Sequence, residues 1–229
     1  MTRTTPPAVL LAGALILMLS AASCRVASAA VTIPDPLVDA PLTPASGQRV
    51  AVFAGGCFWG IQAVFEHVKG VISATAGYTG GHVANPDYEM VSSGTSGHAE
   101  SVKIVFDPSK ITYGRLLQVF FAVAHDPTEL DRQGPDVGTQ YRSAIFVTNA
   151  NQQRIADAYI AQLTAAKVFG RPIVTQVAPF TAFYDAEAYH QDYARNHPDN
   201  AYIVINDAPK VVNLKRELPE LYSATPARP

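Results

Sequence analysis

Six consecutive residues, Gly55-Gly56-Cys57-Phe58-Trp59-Gly60, carry the chemistry for which this chain is best equipped. They follow an apolar run, Val50 to Ala54, and open a helical pattern through Ile61, Val64, Phe65 and Val68. A cysteine at such a strand-to-helix junction faces unpaired backbone N–H groups and the positive end of the helix dipole, both of which favour thiolate. The glycine pair lets the chain turn sharply before it. Two large aromatic side chains follow directly. The pattern predicts a reactive thiol beside an aromatic pocket rather than a cysteine that only fills core. One use of such a group is acyl transfer, with Cys57 as nucleophile and His98, His125 or His190 as base. No motif beyond the helix-terminal cysteine supports that use, and the C-G-[SA]-C-[WY] signature is absent. The six histidines show no H-x-H or H-E-x-x-H spacing, which argues against a metal site.

Around this group the chain is ordinary in bulk. At 229 residues, 48% hydrophobic and 16% charged, it can bury one good core. A net charge of −2 provides no basic stripe for nucleic acid. The N-terminus differs in kind. Arg3 precedes an apolar stretch, Ala8 to Leu19, too short to span a membrane convincingly. Ala27-Ser28-Ala29 fits a signal-peptide cleavage site, which makes residues 1–29 a leader and discards Cys24. Ala21-Ala22-Ser23-Cys24 resembles a lipoprotein site, the one route by which this protein would meet a membrane. Either way the expectation is an exported, periplasmic or extracytoplasmic domain. Under ordinary processing only Cys57 remains, so no internal disulfide is expected.

The elements that must position Cys57 alternate from Arg49 onward, after a Pro-rich lead-in at 30–48. The sequence predicts a strand at 49–54, a helix at 58–68 stopped by Gly70, and a strand from Val71 to Tyr78. A long polar loop, Thr79–Gly97, leads to a strand from His98 to Phe106 that carries Glu100, Val102, Ile104 and Phe106 on one face. Thr112 caps a helix through Ala124, and Asp126–Gln140 is a second polar loop. A strand from Tyr141 to Val147, a helix capped by Asn149 and running to Lys167, a strand at Pro172–Ala178 and a short helix at Asp185–Asn196 complete one two-layer α+β domain. Its limits are set at 49–206, with 207–229 as a C-terminal tail.

Five blocks now stand in a characteristic order: Gly55-Cys57-Phe58-Trp59-Gly60, Gly77-Tyr78-Thr79-Gly80-Gly81, Asn85-Pro86-Asp87-Tyr88, Gly97-His98-Ala99-Glu100 and Gly138-Thr139-Gln140-Tyr141-Arg142-Ser143. Together they resemble peptide-methionine sulfoxide reductase A over about Arg49 to Asp199. The resemblance implies a ferredoxin-like two-layer α/β plait with a mixed sheet, helices on one face and long active-site loops. It implies reduction of methionine-(S)-sulfoxide, free or in proteins, with no metal or organic cofactor, by a monomer. Such a reaction needs a thiolate, an acid, hydrogen-bond donors at the sulfoxide oxygen and an apolar slot for the S-methyl group. Cys57 supplies the first. Glu100, on the inward face of its strand, supplies the second, its pKa raised by burial. Tyr88 and Tyr141 match the family's oxygen donors, Asp136 matches a family carboxylate in the same pocket, and Phe58 with Trp59 cages the methyl group. Many relatives carry a resolving cysteine near the C-terminus. Here Ile203 stands at that place, and Ser92 where some relatives have another. The expected Cys57 sulfenic acid must then be reduced by an external thiol, thioredoxin or a similar dithiol protein.

Overall fold

The computed structural model describes residues 1–2 and 33–227; Cys24, both expected cleavage motifs and residues 3–29 of the expected leader lie outside the described residues. The described residues form eight strands: β1 (Arg49–Gly55), β2 (Val71–Thr79), β3 (Ala99–Phe106), β4 (Arg132–Gln133), β5 (Asp136–Val137), β6 (Ser143–Val147), β7 (Gln176–Pro179) and β8 (Tyr184–Asp185). Six form one mixed sheet in the order β7-β6-β1-β3-β2-β8, antiparallel throughout except for the parallel β6–β7 pair; β4 and β5 form a separate hairpin. The central order β6-β1-β3-β2, joined by helical crossovers, is the ferredoxin-like plait that the resemblance implies.

Pattern explains the layers. Strands β1 and β6 are buried on both faces. Phe53, Ala76, Tyr78, Val102, Ile104 and Ile145 point into the main core, whereas Val52, Ala54, Ala99, Ala144 and Phe146 form a thin second layer under Ala178, Phe180 and Phe183. Helices α1 (Phe58–Glu66), α2 (Tyr88–Ser92), α3 (Tyr113–Val119), α4 (Ala150–Ala165), α5 (Tyr193–Asn196) and α6 (Ala208–Glu217) supply the rest. Val64, Phe65, Leu116, Leu117, Ile155 and Tyr159 bring α1, α3 and α4 onto the main face. Thr112 and Asn149 cap α3 and α4 as expected, accepting from the N–H groups of Arg115 and Gln152.

Several expectations are corrected. The helix expected to run from Thr112 to Ala124 is α-helical only to Val119 and continues as a π-helical turn, Phe120–Ala124. The expected strand at Pro172–Ala178 pairs with β6 only from Gln176. The short helix expected at Asp185–Asn196 is broken. Asp192 takes φ +56°, and the Gln191 amide instead binds both backbone groups of Ala76, donating to its carbonyl and accepting from its N–H. The two polar loops hold α2 and the β4–β5 hairpin. The segment assigned to a C-terminal tail contains α6, entered through a π-helical turn, Ile203–Asp207, and anchored by buried Leu214. The lead-in forms no helix or strand from Ile33 to Gln48, yet it is docked. Tyr159 donates to the Pro34 carbonyl at 2.8 Å, Gln118 to the Ile33 carbonyl, and the Gly114 N–H to Asp39.

Candidate active site

Three strand ends converge on Cys57. Phe53 of β1 lies opposite Val102 of β3, and Gly55 lies opposite Ser143 of β6. The end of β1 therefore shares one sheet edge with the starts of β3 and β6, which brings together Cys57, Glu100 and Tyr141. Gly56 makes the turn at φ +94°, and a Cβ there would stand 2.5 Å from that of Gln133, so only glycine fits. The strand cannot then continue, and Cys57 takes the N-cap position of α1 with φ −53° and ψ 123°.

The thiolate expectation fails in the resting site. Cys57 is 9% exposed, and burial pushes its thiol well above the ordinary value, with Glu100 and Asp207 adding to the rise. The Trp59 backbone N–H and Lys210 pull the other way and do not prevail. Part of the reason is competition for the helix terminus: the Phe58 N–H donates to Glu100 Oε2 at 3.1 Å. Glu100, 2% exposed, is itself pushed up to about 8, by burial and against that hydrogen bond. Near neutral pH it is a neutral acid, and its charge opposes the thiolate only as it ionises.

Both groups face a cavity of about 200 Å³ lined by Cys57, Phe58, Trp59, Tyr88, Glu100, Asp136, Tyr141 and Tyr202. All seven residues singled out in the sequence are brought together there. Tyr88, Tyr141 and Tyr202 have phenols raised chiefly by burial, so each hydroxyl keeps its proton. Tyr202 and its neighbours escaped the sequence reading. Tyr202 donates to Asp136 Oδ2, and its ring meets Trp59 edge-on. His190, 3% exposed, accepts from Trp59 Nε1 at 3.1 Å and packs on Phe58 and Tyr88. Trp59 also stacks on Tyr193 at 3.8 Å between ring centroids. Glu187 accepts from the Tyr78 hydroxyl and the Tyr88 N–H, fixing where Tyr88 stands. The one available signal for Tyr202 is its position beside Ile203, where the resemblance leads to the expectation of a cysteine.

The acyl-transfer reading loses its base. His125 is bound at both nitrogens, by the Phe120 carbonyl and the Ser143 hydroxyl, and burial pushes it down to about 3. His98 accepts from the Gly81 N–H and binds the Val83 carbonyl. His190 already serves Trp59. Among the described residues no cluster of three or more His, Cys, Asp or Glu side chains is arranged to hold a metal.

Comparison with known proteins agrees with this geometry. Residues 49–221 match the family model described as peptide methionine sulfoxide reductase. The Mesorhizobium japonicum protein named peptide methionine sulfoxide reductase MsrA 2 is 58% identical over 182 residues, covering 80% of this chain and 93% of that protein. A Synechocystis protein of the same name is 50% identical over 187 residues, covering 81% and 87%. Among solved structures, reduced Mxr1 of Saccharomyces cerevisiae superposes with a TM-score of 0.60 at 30% identity, over 71% of this chain and 91% of that one. Methionine sulfoxide reductase A of Corynebacterium diphtheriae gives 0.57 at 34%, over 72% and 86%. The matched span includes α6, beyond the limit of 206 expected for the domain. The chain belongs to the peptide methionine sulfoxide reductase family.

Proposed function

We propose that this enzyme, an oxidoreductase acting on methionine sulfoxide, reduces the S epimer, free or in proteins, through a sulfenic acid on Cys57. The observation that carries the reading is the meeting of one buried thiol and one buried, protonated carboxyl on a single aromatic-walled cavity. Glu100 donates to the sulfoxide oxygen, with Tyr88 and Tyr141 as further donors, which makes the substrate sulfur electrophilic. Cys57 attacks as its own proton returns to Glu100, so the carboxyl ends as it began. The balance is Cys57–SH plus sulfoxide to Cys57–SOH plus thioether. Phe58 and Trp59 hold the S-methyl group, and Asp136 orders Tyr202 at the rim.

Cys57 is the only cysteine among the described residues, and removal of residues 1–29 as a leader takes Cys24 with it, so the sulfenic acid is reduced by an external thiol, thioredoxin or a similar dithiol protein. The leader-like residues 1–29 support work outside the cytoplasm on oxidised exported proteins. The test is turnover of S- and R-sulfoxide substrates with dithiothreitol. S-specific methionine production that Cys57→Ser abolishes is expected. Equal use of both epimers, or Cys57→Ser activity within tenfold of wild type, refutes the reading.

A further inference from the structure

Cys57 borders a second cavity. It is a cleft of about 380 Å³ that runs from the β4–β5 hairpin to α6, with Gln133, Gly134, Asn206, Lys210 and Asn213 in its walls. Apart from Cys57, it shares only Asp136 and Tyr202 with the aromatic cavity, and the hydrogen bond between those two side chains closes the wall that separates them. Cys57 therefore lines two compartments, one aromatic and holding Glu100, the other polar and opening toward α6.

We infer that the polar cleft is the binding site for the reducing thiol, which attacks Cys57 from the side away from the sulfoxide pocket. The inference rests on the sulfenic acid reading above. Displacement at a divalent sulfur proceeds in line, with the incoming sulfur opposite the leaving oxygen. The oxygen received from a sulfoxide lies in the aromatic cavity beside Glu100, so a thiol arriving there would come from the leaving group's own side. Arriving through the cleft, it forms the S–S bond as the S–O bond breaks. Glu100 protonates the departing hydroxide and regains a proton from solvent, the thiol releases its proton to water in the cleft, and the sum is Cys57–SOH plus RSH to Cys57–S–SR plus water. A second thiol of the reductant then displaces Cys57 as thiol and leaves as the disulfide. In the cleft walls Lys210 is paired with Asp207 at 3.0 Å, Asp126 meets Arg171 at 3.2 Å and Glu129 meets Arg132 at 3.9 Å, which leaves Asp136 as the wall carboxylate with no cationic partner among the described residues. This balance favours a neutral thiol, or a cysteine carried on a protein, over an anionic small thiol such as glutathione.

The test plugs the cleft with Asn213→Trp; Asn213 makes no side-chain hydrogen bond among the described residues and lines the α6 wall. One equivalent of methionine sulfoxide, without thiol, first measures the methionine burst. The oxidised enzyme is then reduced in separate arms by dithiothreitol, glutathione and thioredoxin. An unchanged burst with reduction at least tenfold slower in the dithiothreitol or thioredoxin arm supports the site. Slowing of both arms marks a port for any thiol, and slowing of the thioredoxin arm alone marks one used by a protein cysteine. Wild-type enzyme should be reduced more slowly by glutathione than by dithiothreitol at equal thiolate concentration. Asn213→Ala, which opens the same wall, should be reduced at least as fast as wild type and keeps the test decisive where the bulky variant fails to fold. Unchanged reduction of Asn213→Trp in both arms, glutathione as the faster small thiol, or tenfold slowing in Asn213→Ala overturns the inference. Absence of a burst in the wild-type enzyme would instead sink the underlying function.

Discussion

Glu100→Gln should move two measurable rates in opposite directions. Glutamine fills the space of Glu100 and still accepts the 3.1 Å hydrogen bond from the Phe58 N–H, so the start of α1 is kept. It lacks a transferable proton, which is worth roughly 10²–10⁴ in rate. With its pKa held up to about 8, Glu100 is about 90% protonated at pH 7 and about 10% at pH 9. A carboxyl at the ordinary 4.5 would be about 0.3% protonated at pH 7, so burial supplies roughly 300-fold more of the acid form. The same carboxyl, once ionised, is the largest influence after burial raising the Cys57 thiol. Alkylation of Cys57 by iodoacetamide should therefore be the same in variant and wild type at pH 7, and faster in the variant at pH 9. A difference of even half a pKa unit makes that gain about threefold. Rapid-quench methionine release in a single turnover measures the first rate, and mass spectrometry of alkylated enzyme the second. Reduction slowed less than threefold would put the acid elsewhere. Both rates falling together at every pH would mean that Glu100 only props up the helix start.

Other consequences are as direct. Trp59→Ala removes the wall that stacks on Tyr193 and binds His190; kcat/KM for sulfoxide should fall about 10- to 200-fold, with iodoacetamide reactivity within twofold, and equal losses would show that Trp59 serves the cysteine. Lys210→Met strips the partner from Asp207, which is 1% exposed; alkylation should slow, and Tm should drop and largely recover in the Asp207→Asn, Lys210→Met double variant. Glu66, buried beside Asp192, is raised to about 8 like Glu100. The folded state then holds protons that the unfolded chain releases near 4.5, so stability is full below that pH and is lost as pH rises through about 8. Thermal melts from pH 5 to 9 should show this decline, and it should be shallower in Glu66→Gln.

The sequence carried the site further than the frame around it. Cys57, Glu100, Tyr88 and Tyr141 sit within short blocks whose glycines and aromatics are constrained locally, so each block announces itself even though they meet only in space. Burial patterning was equally plain, because β1, between two apolar layers, reads as a run of hydrophobes from Val50 to Ala54, and β3 as an alternation that places Val102, Ile104 and Phe106 on one face. Tyr202 and Asp207 were hidden because their roles depend on where a π-helical turn and α6 dock. Between Asp199 and Glu217 only Leu214 and Ile203 among the apolar side chains are fully buried, too few to announce a helix by periodicity. His190 was visible as a residue, but its work is holding Trp59 in place, a relation between two elements that no local pattern encodes.

The contest at the start of α1 shows why local reasoning misjudged the thiol. A helix terminus contributes on the order of 1 kcal/mol to a nearby anion. Desolvation of a charge in a closed pocket costs several, and here the nearest first-turn N–H is taken by Glu100. Burial wins, so the resting site holds its nucleophile and its acid both protonated. Such a thiol is quiet toward generic electrophiles, and the substrate must supply the missing drive by accepting the Glu100 proton. Wild-type Cys57 should therefore react with iodoacetamide at pH 7 more slowly than free cysteine does, despite its place at a helix N-terminus. Side-by-side alkylation rates measure this. A rate above that of free cysteine would mean that the dipole outweighs burial after all and that the enzyme rests as a thiolate.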